Sequence, residues 1–174
     1  MKIGKMNFNM DEKYQKVDSM PEDPPNSFPY CFQTDMAMCF VMVMPIPTER
    51  AMPFGNEQPV IDGIHECLGD DQGLIKVDTG KTSSGKFFIY SIVKTVKSEG
   101  GVTYCLTLHL TDNKEVIQVQ GFFEETGMTG TRDTMILSAL MNEGQIKMGK
   151  NGPEGWMEDP YDPNFKRGIC KNLS

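Results

Sequence analysis

A glycine loop, GMTGT at residues 127–131, stands between a strand-like run (Glu115, Val116, Ile117, Val119) and a helix-like run (Met135, Ile136, Leu137, Leu140, Met141). Strand, glycine loop and helix are the parts of a phosphate cradle, because a helix N-terminus leaves backbone N–H groups free to meet an anion. A nucleoside-triphosphate loop also needs GxxxxGK[ST], whose lysine reaches the outer phosphates. The run Gly127-Met128-Thr129-Gly130-Thr131-Arg132 has neither that lysine nor that spacing, and no GxGxxG fingerprint accompanies it. What remains is a site for a lone anion, built from free N–H groups, two threonine hydroxyls and Arg132. Asp133 competes for the same positive helix end. The simpler reading gives Gly127 and Gly130 to the turn and Thr129 or Thr131 to the helix cap.

Metal and nucleophile chemistry have little to work with. His65 and Cys67 form an HxC, but on a helix these positions point about 200° apart. Cys105 and His109 share one face of a strand-like run at a separation of roughly 13 Å, too far to hold one ion. The expectation is one buried thiol per pair and two half-exposed histidines. With only two histidines, neither in a local signature, and no GxSxG, a cysteine or serine nucleophile lacks its base. Five cysteines, an odd number with no CxxC, argue against a disulfide framework. No residue set asks for a metal or a cofactor, and the expectation is a protein that is not an enzyme.

The last stretch, WMEDPYDPNFKR at 156–167, offers recognition instead. Two Asp-Pro steps impose extended or turn conformations. They space out Trp156, Tyr161 and Phe165, with Arg167 following, and these residue types are enriched in binding hot spots. Against that stands burial of the same rings in the domain's own core, the usual fate of large aromatics. A calcium loop from Glu158, Asp159 and Asp162 lacks the alternating ligands and the loop glycine.

The elements that must position these residues are legible from periodicity. Residues 1–27 are polar, alternate weakly at Ile3, Met6, Phe8 and Met10 as an edge strand would, and end in a proline-rich loop. Phe28–Gln33 reads as a short strand. AMCFVMVMPI at 37–46 is apolar on both sides, the pattern of a central strand covered on both faces, with Pro45 and Pro47 ending it. NEQPVIDGIHECL at 56–68 has helical spacing, with Asn56 as N-cap, Pro59 in the first turn and Gly69 as the stop. Four strands then meander over 73–78, 86–96, 102–110 and 115–124, separated by turn residues. A second helix follows over roughly 132–141, and 145–174 is an irregular tail packed on or near the domain. Of the fourteen methionines, several cluster at 36–52. Met42 and Met44 belong to a sheet core, while Met36, Met38 and Met52 could line a groove.

The expected fold is therefore α+β: an antiparallel meander with a helix on each face, an α/β/α sandwich in one domain spanning 1–174. This order of elements resembles the PsbP-like fold, shared with the Ran-binding Mog proteins. The resemblance covers roughly residues 28–141 and rests on NEQPVIDGIHECL, KFFIYSIVKTV, VTYCLTLHL and GFFEETGMTGTRDTMILSALM. It implies a non-enzymatic role in binding protein partners, and it carries over no site residue.

Composition narrows the partners. The formal charge is −7 and no Lys/Arg cluster stands out, which disfavours nucleic acid and anionic membrane surfaces. No apolar run reaches the roughly 18 residues of a membrane span. Met1–Asn7 lacks the apolar core of a signal peptide, so a cytoplasmic location is expected. The leading expectation is a protein-binding or adaptor domain, monomeric or homodimeric, using Trp156, Tyr161, Phe165 and Arg167. The alternative is a small-molecule or anion binder using Gly127, Thr129, Gly130, Thr131 and Arg132.

Overall fold

Apolar alternation and compact turn chemistry build one large sheet. In a computed structural model, which describes residues 2–35, 37–97, 101–126, 138–144, 147–149 and 152–154, the chain runs β1 (Lys2–Ile3), β2 (Met6–Asn7), β3 (Gln15–Lys16), β4 (Phe28–Gln33), β5 (Ala37–Ile46), α1 (Gln58–His65), β6 (Gln72–Lys81), β7 (Phe87–Val96), β8 (Val102–Thr111) and β9 (Val116–Glu125). Short strands β10 (Lys147–Gly149) and β11 (Gly152–Glu154) pair as a hairpin within the stretch expected to be irregular. Seven strands pair in the order β3-β4-β5-β9-β8-β7-β6, every pairing antiparallel. The fold is α+β, a large antiparallel sheet with helices packed on its faces.

The meander follows from its turns. Between β8 and β9, Asp112 Oδ1 accepts the N–H groups of Lys114 (3.0 Å) and Glu115 (3.1 Å), and Asn113 takes φ 72°, a conformation that asparagine tolerates. Those two N–H donors hold the Asp112 carboxyl below the usual carboxylate range. The return of β9 to β5 makes β5 central, since the connection between them spans the whole meander.

Each face has its own core. On the first, Tyr30, Val41, Val43, Ile117 and Val119 are buried together with Ile3 and Met6 of the N-terminal hairpin. Phe8, Met10 and Tyr14 pack around them, so the weakly alternating N-terminal stretch is a cover for this face. Only its β3 portion is an edge strand. The hairpin turns at Gly4, φ +55°, and is pinned by Glu115, whose Oε2 accepts the Lys5 N–H at 2.7 Å. A Cβ on Gly4 would stand 2.1 Å from that carboxylate oxygen. Gly4→Ala is expected to cost about 2 kcal/mol in urea unfolding, through the strained φ and the displaced anchor.

On the second face, α1 lays Val60 and Ile61 over Leu74, Val77 and Ile89. The helix is shorter than its periodicity suggests and starts after Glu57. Asn56 still accepts the Gln58 N–H through its side chain, at 3.3 Å. Pro45 lies inside β5, paired with Ile117, and does not end it. The ladder with β4 reaches only to Val43, so Pro45 sits where one neighbouring strand has already turned away. Of the second expected helix, residues 138–142 are described, with Leu140 buried.

Candidate functional site

Residues directly opposite one another in an antiparallel ladder project to the same face. That rule places Met38, Phe40, Met42 and Met44 of β5 beside Glu124, Phe122, Gln120 and Gln118 of β9. Across β9 the same rows continue into Thr103, Cys105, Thr107 and His109 of β8. This is the face that carries α1 at its β6–β7 end. An eight-residue helix is about 12 Å long, whereas seven strands span about 29 Å, so α1 covers only part of it.

The consequence is an apolar strip beside the helix. Among the described residues six large apolar side chains are exposed, and three of them are neighbours here. Met38 is 46% exposed, Phe40 36% and Phe122 45%. Phe40 and Phe122 face each other across the β5–β9 ladder, and Met38 follows on the same side of β5. Glu124 sits at the rim, ion-paired with Lys97. The expectation of a β5 covered on both faces is thus overturned. One side of the strand is core (Cys39, Val41, Val43) and the other is half-buried or exposed. Apolar residues on both sides of a strand state that both sides suit apolar contact, but not who supplies it.

A directed hydrogen-bond chain bounds the strip on the helix side. The Met52 N–H donates to His109 Nδ1 at 2.9 Å, so Nδ1 is an acceptor and the ring proton rests on Nε2. Nε2 then donates to Gln118 Oε1 (3.2 Å), and Gln118 Nε2 to Gln120 Oε1 (2.9 Å). Gln120 Nε2 donates to Cys105 Sγ (2.9 Å), while Thr107 Oγ1 also donates to Gln120 Oε1 (3.2 Å). The chain ties the segment before α1 to the sheet and leaves these polar groups satisfied within the protein.

His109 is only 4% exposed, which corrects the expectation of a half-exposed ring. Its neighbours on β8 deceive because the nominally polar side of that strand lies under the segment before α1. Burial pushes the imidazole below its ordinary pKa, against an upward pull from Gln118. With Nδ1 facing an N–H donor, the cation has no place to form. The folded imidazole resists the proton that the unfolded one accepts as pH falls through about 6.5. Stability is therefore expected to be highest above that value and to fall from pH 7 to 5.5. His109→Gln should flatten this slope in denaturant titrations across the same window.

These geometries give no support to nucleophilic chemistry. Burial pushes the Cys105 thiol up, more than its Gln120 and Thr107 hydrogen bonds pull it down, and a protonated thiol is a poor nucleophile. Cys105 and His109 do share a face, as their spacing predicts, but each is held within the chain rather than by a common ligand. His65 and Cys67 are exposed at the end of α1. Among the described residues no group of three or more His, Cys, Asp or Glu could hold a metal ion. Nor is any described helix long and apolar enough to cross a membrane.

Of the residues singled out in the sequence, Met38 belongs to the strip, whereas Met52 packs beside the α1 cluster. Met36, the anion candidates Gly127, Thr129, Gly130, Thr131 and Arg132, and the tail candidates Trp156, Tyr161, Phe165 and Arg167 lie outside the described residues. Phe40 and Phe122 went unrecognised, although one signal was available: a doubly apolar strand paired with few helices to cover it.

No protein-family model and no curated protein matches the sequence. The structure is similar to a PsbP-like fold. One match is to the solution structure of cyanobacterial PsbP (CyanoP) from Synechocystis sp. PCC 6803, at 14% sequence identity and a TM-score of 0.42. It covers 77% of this chain and 81% of that one. The likeness is one of fold at low identity.

Proposed function

We propose that this chain is a protein-binding module whose docking surface is the strip Met38-Phe40-Phe122. The observation that carries the reading is the contiguity of these three exposed side chains on adjacent strands. Isolated apolar residues on a surface need no explanation, but a contiguous group on a flat sheet face marks a place for a partner. Aromatics and methionine are also the residue types that interface cores favour. Around the strip, Gln118, Gln120 and Thr107 are already hydrogen-bonded to one another. The matching surface must therefore bring apolar side chains rather than donors and acceptors. A formal charge of −7 opposes a second copy of the same chain and favours a neutral or basic partner.

Affinity capture with the wild-type protein and with Phe40→Ser/Phe122→Ser tests the proposal. The wild type is expected to retain a partner that the double variant loses although it remains folded. Equal capture by both would place binding elsewhere. Loss of a dimer on substitution, read by sedimentation, would make the partner a second copy.

A further inference from the structure

A cavity of about 480 Å³ opens at one end of the sheet, where the β1–β2 hairpin, the start of β4, the end of β5 and the β8–β9 turn converge. That volume lies in the range of small-molecule sites. Phe28, Ile46 and Pro47 give it apolar walls, and two lysines from unconnected elements, Lys2 and Lys114, line it as well. Both lysines are exposed, and among the described residues neither stands within ion-pair distance of a carboxylate. Glu115 also lines the cavity, but its Oε2 is committed to the Lys5 N–H of the hairpin. The lining lysines thus outnumber the lining carboxylate in a chain whose formal charge is −7.

We propose that this cavity binds a small organic monocarboxylate, with the carboxylate between Lys2 and Lys114 and the apolar body against Phe28 and Ile46. Apolar walls alone would accept any small hydrophobe. Two lysines on the lining, against one carboxylate, favour an anion there. The site shares no lining residue with the Met38-Phe40-Phe122 strip, so its success or failure leaves the docking proposal standing.

Titration of the full chain with hexanoate, followed by ¹H–¹⁵N NMR, tests this, with hexanol as the uncharged match. Hexanoate is expected to shift the amides of Ile3, Ile46 and Val116 saturably, and hexanol to bind about tenfold more weakly or not at all. Lys2→Gln/Lys114→Gln should weaken hexanoate about fivefold, as should raised salt, while Lys2→Arg/Lys114→Arg retains binding. Equal response to hexanol would make the cavity a mere apolar gap. Unchanged affinity in the glutamine variant, or no saturable shift at these amides, would overturn the assignment.

Discussion

Ile117→Ala is expected to lower the stability of this protein by about 3–4 kcal/mol, the largest effect of a single conservative truncation here. Ile117 is 1% exposed and stands on β9, the strand that joins β5 to the meander. Its side chain packs in the cluster of Tyr30, Val41, Val43 and Val119 beneath the N-terminal hairpin. Truncation leaves a void bordered by sheet on one side and by Ile3 and Met6 on the other. The sheet cannot collapse without breaking ladder hydrogen bonds, so relaxation has to come from the hairpin. Equilibrium urea unfolding measures the loss. A change below about 1 kcal/mol would mean that the hairpin follows the cavity inward and that this core is looser than its burial implies.

The second large effect separates folding from binding. Phe40→Ser/Phe122→Ser removes two rings that are 36% and 45% exposed in the free protein. The folded chain already covers more than half of each residue, so the double variant should melt several degrees lower while remaining folded. A partner can bury only the exposed part of each ring, worth about 0.5–1.4 kcal/mol apiece, so their loss should weaken the complex by about tenfold or more. Loss of the folded state itself in the double variant, read as a missing unfolding transition, would assign the two rings to the protein's own packing.

The outline of the sheet was legible because its signals are local. Phe28–Gln33 and Ala37–Ile46 have the bounds that β-propensity and flanking turn residues suggest. The meander was equally readable, since Asp112, Asn113 and Gly85 supply the turn conformations between long strands. What sequence could not reveal is what covers each side. The pattern of AMCFVMVMPI is the same whether its second face meets a helix or lies open, because apolarity records suitability for contact and not its source. The N-terminal cover escaped for a related reason: Ile3 and Met6 are three apart across a Gly4 turn, a spacing that breaks the strand period. His109 was misread because burial by a distant backbone segment, 57 residues away at Met52, leaves no local trace. Phe122 looked like one more strand aromatic until its partner across the ladder was known to be Phe40.

Photo-cross-linking reads the docking surface most directly. A benzoylphenylalanine is placed at Met38, within the strip, and separately at Met20, a 69% exposed methionine outside it. Docking on the strip predicts a discrete adduct with one protein from position 38 that disappears in the Phe40→Ser/Phe122→Ser background, and none from position 20. An adduct from position 20 alone, or one from position 38 that survives loss of both phenylalanines, would contradict it.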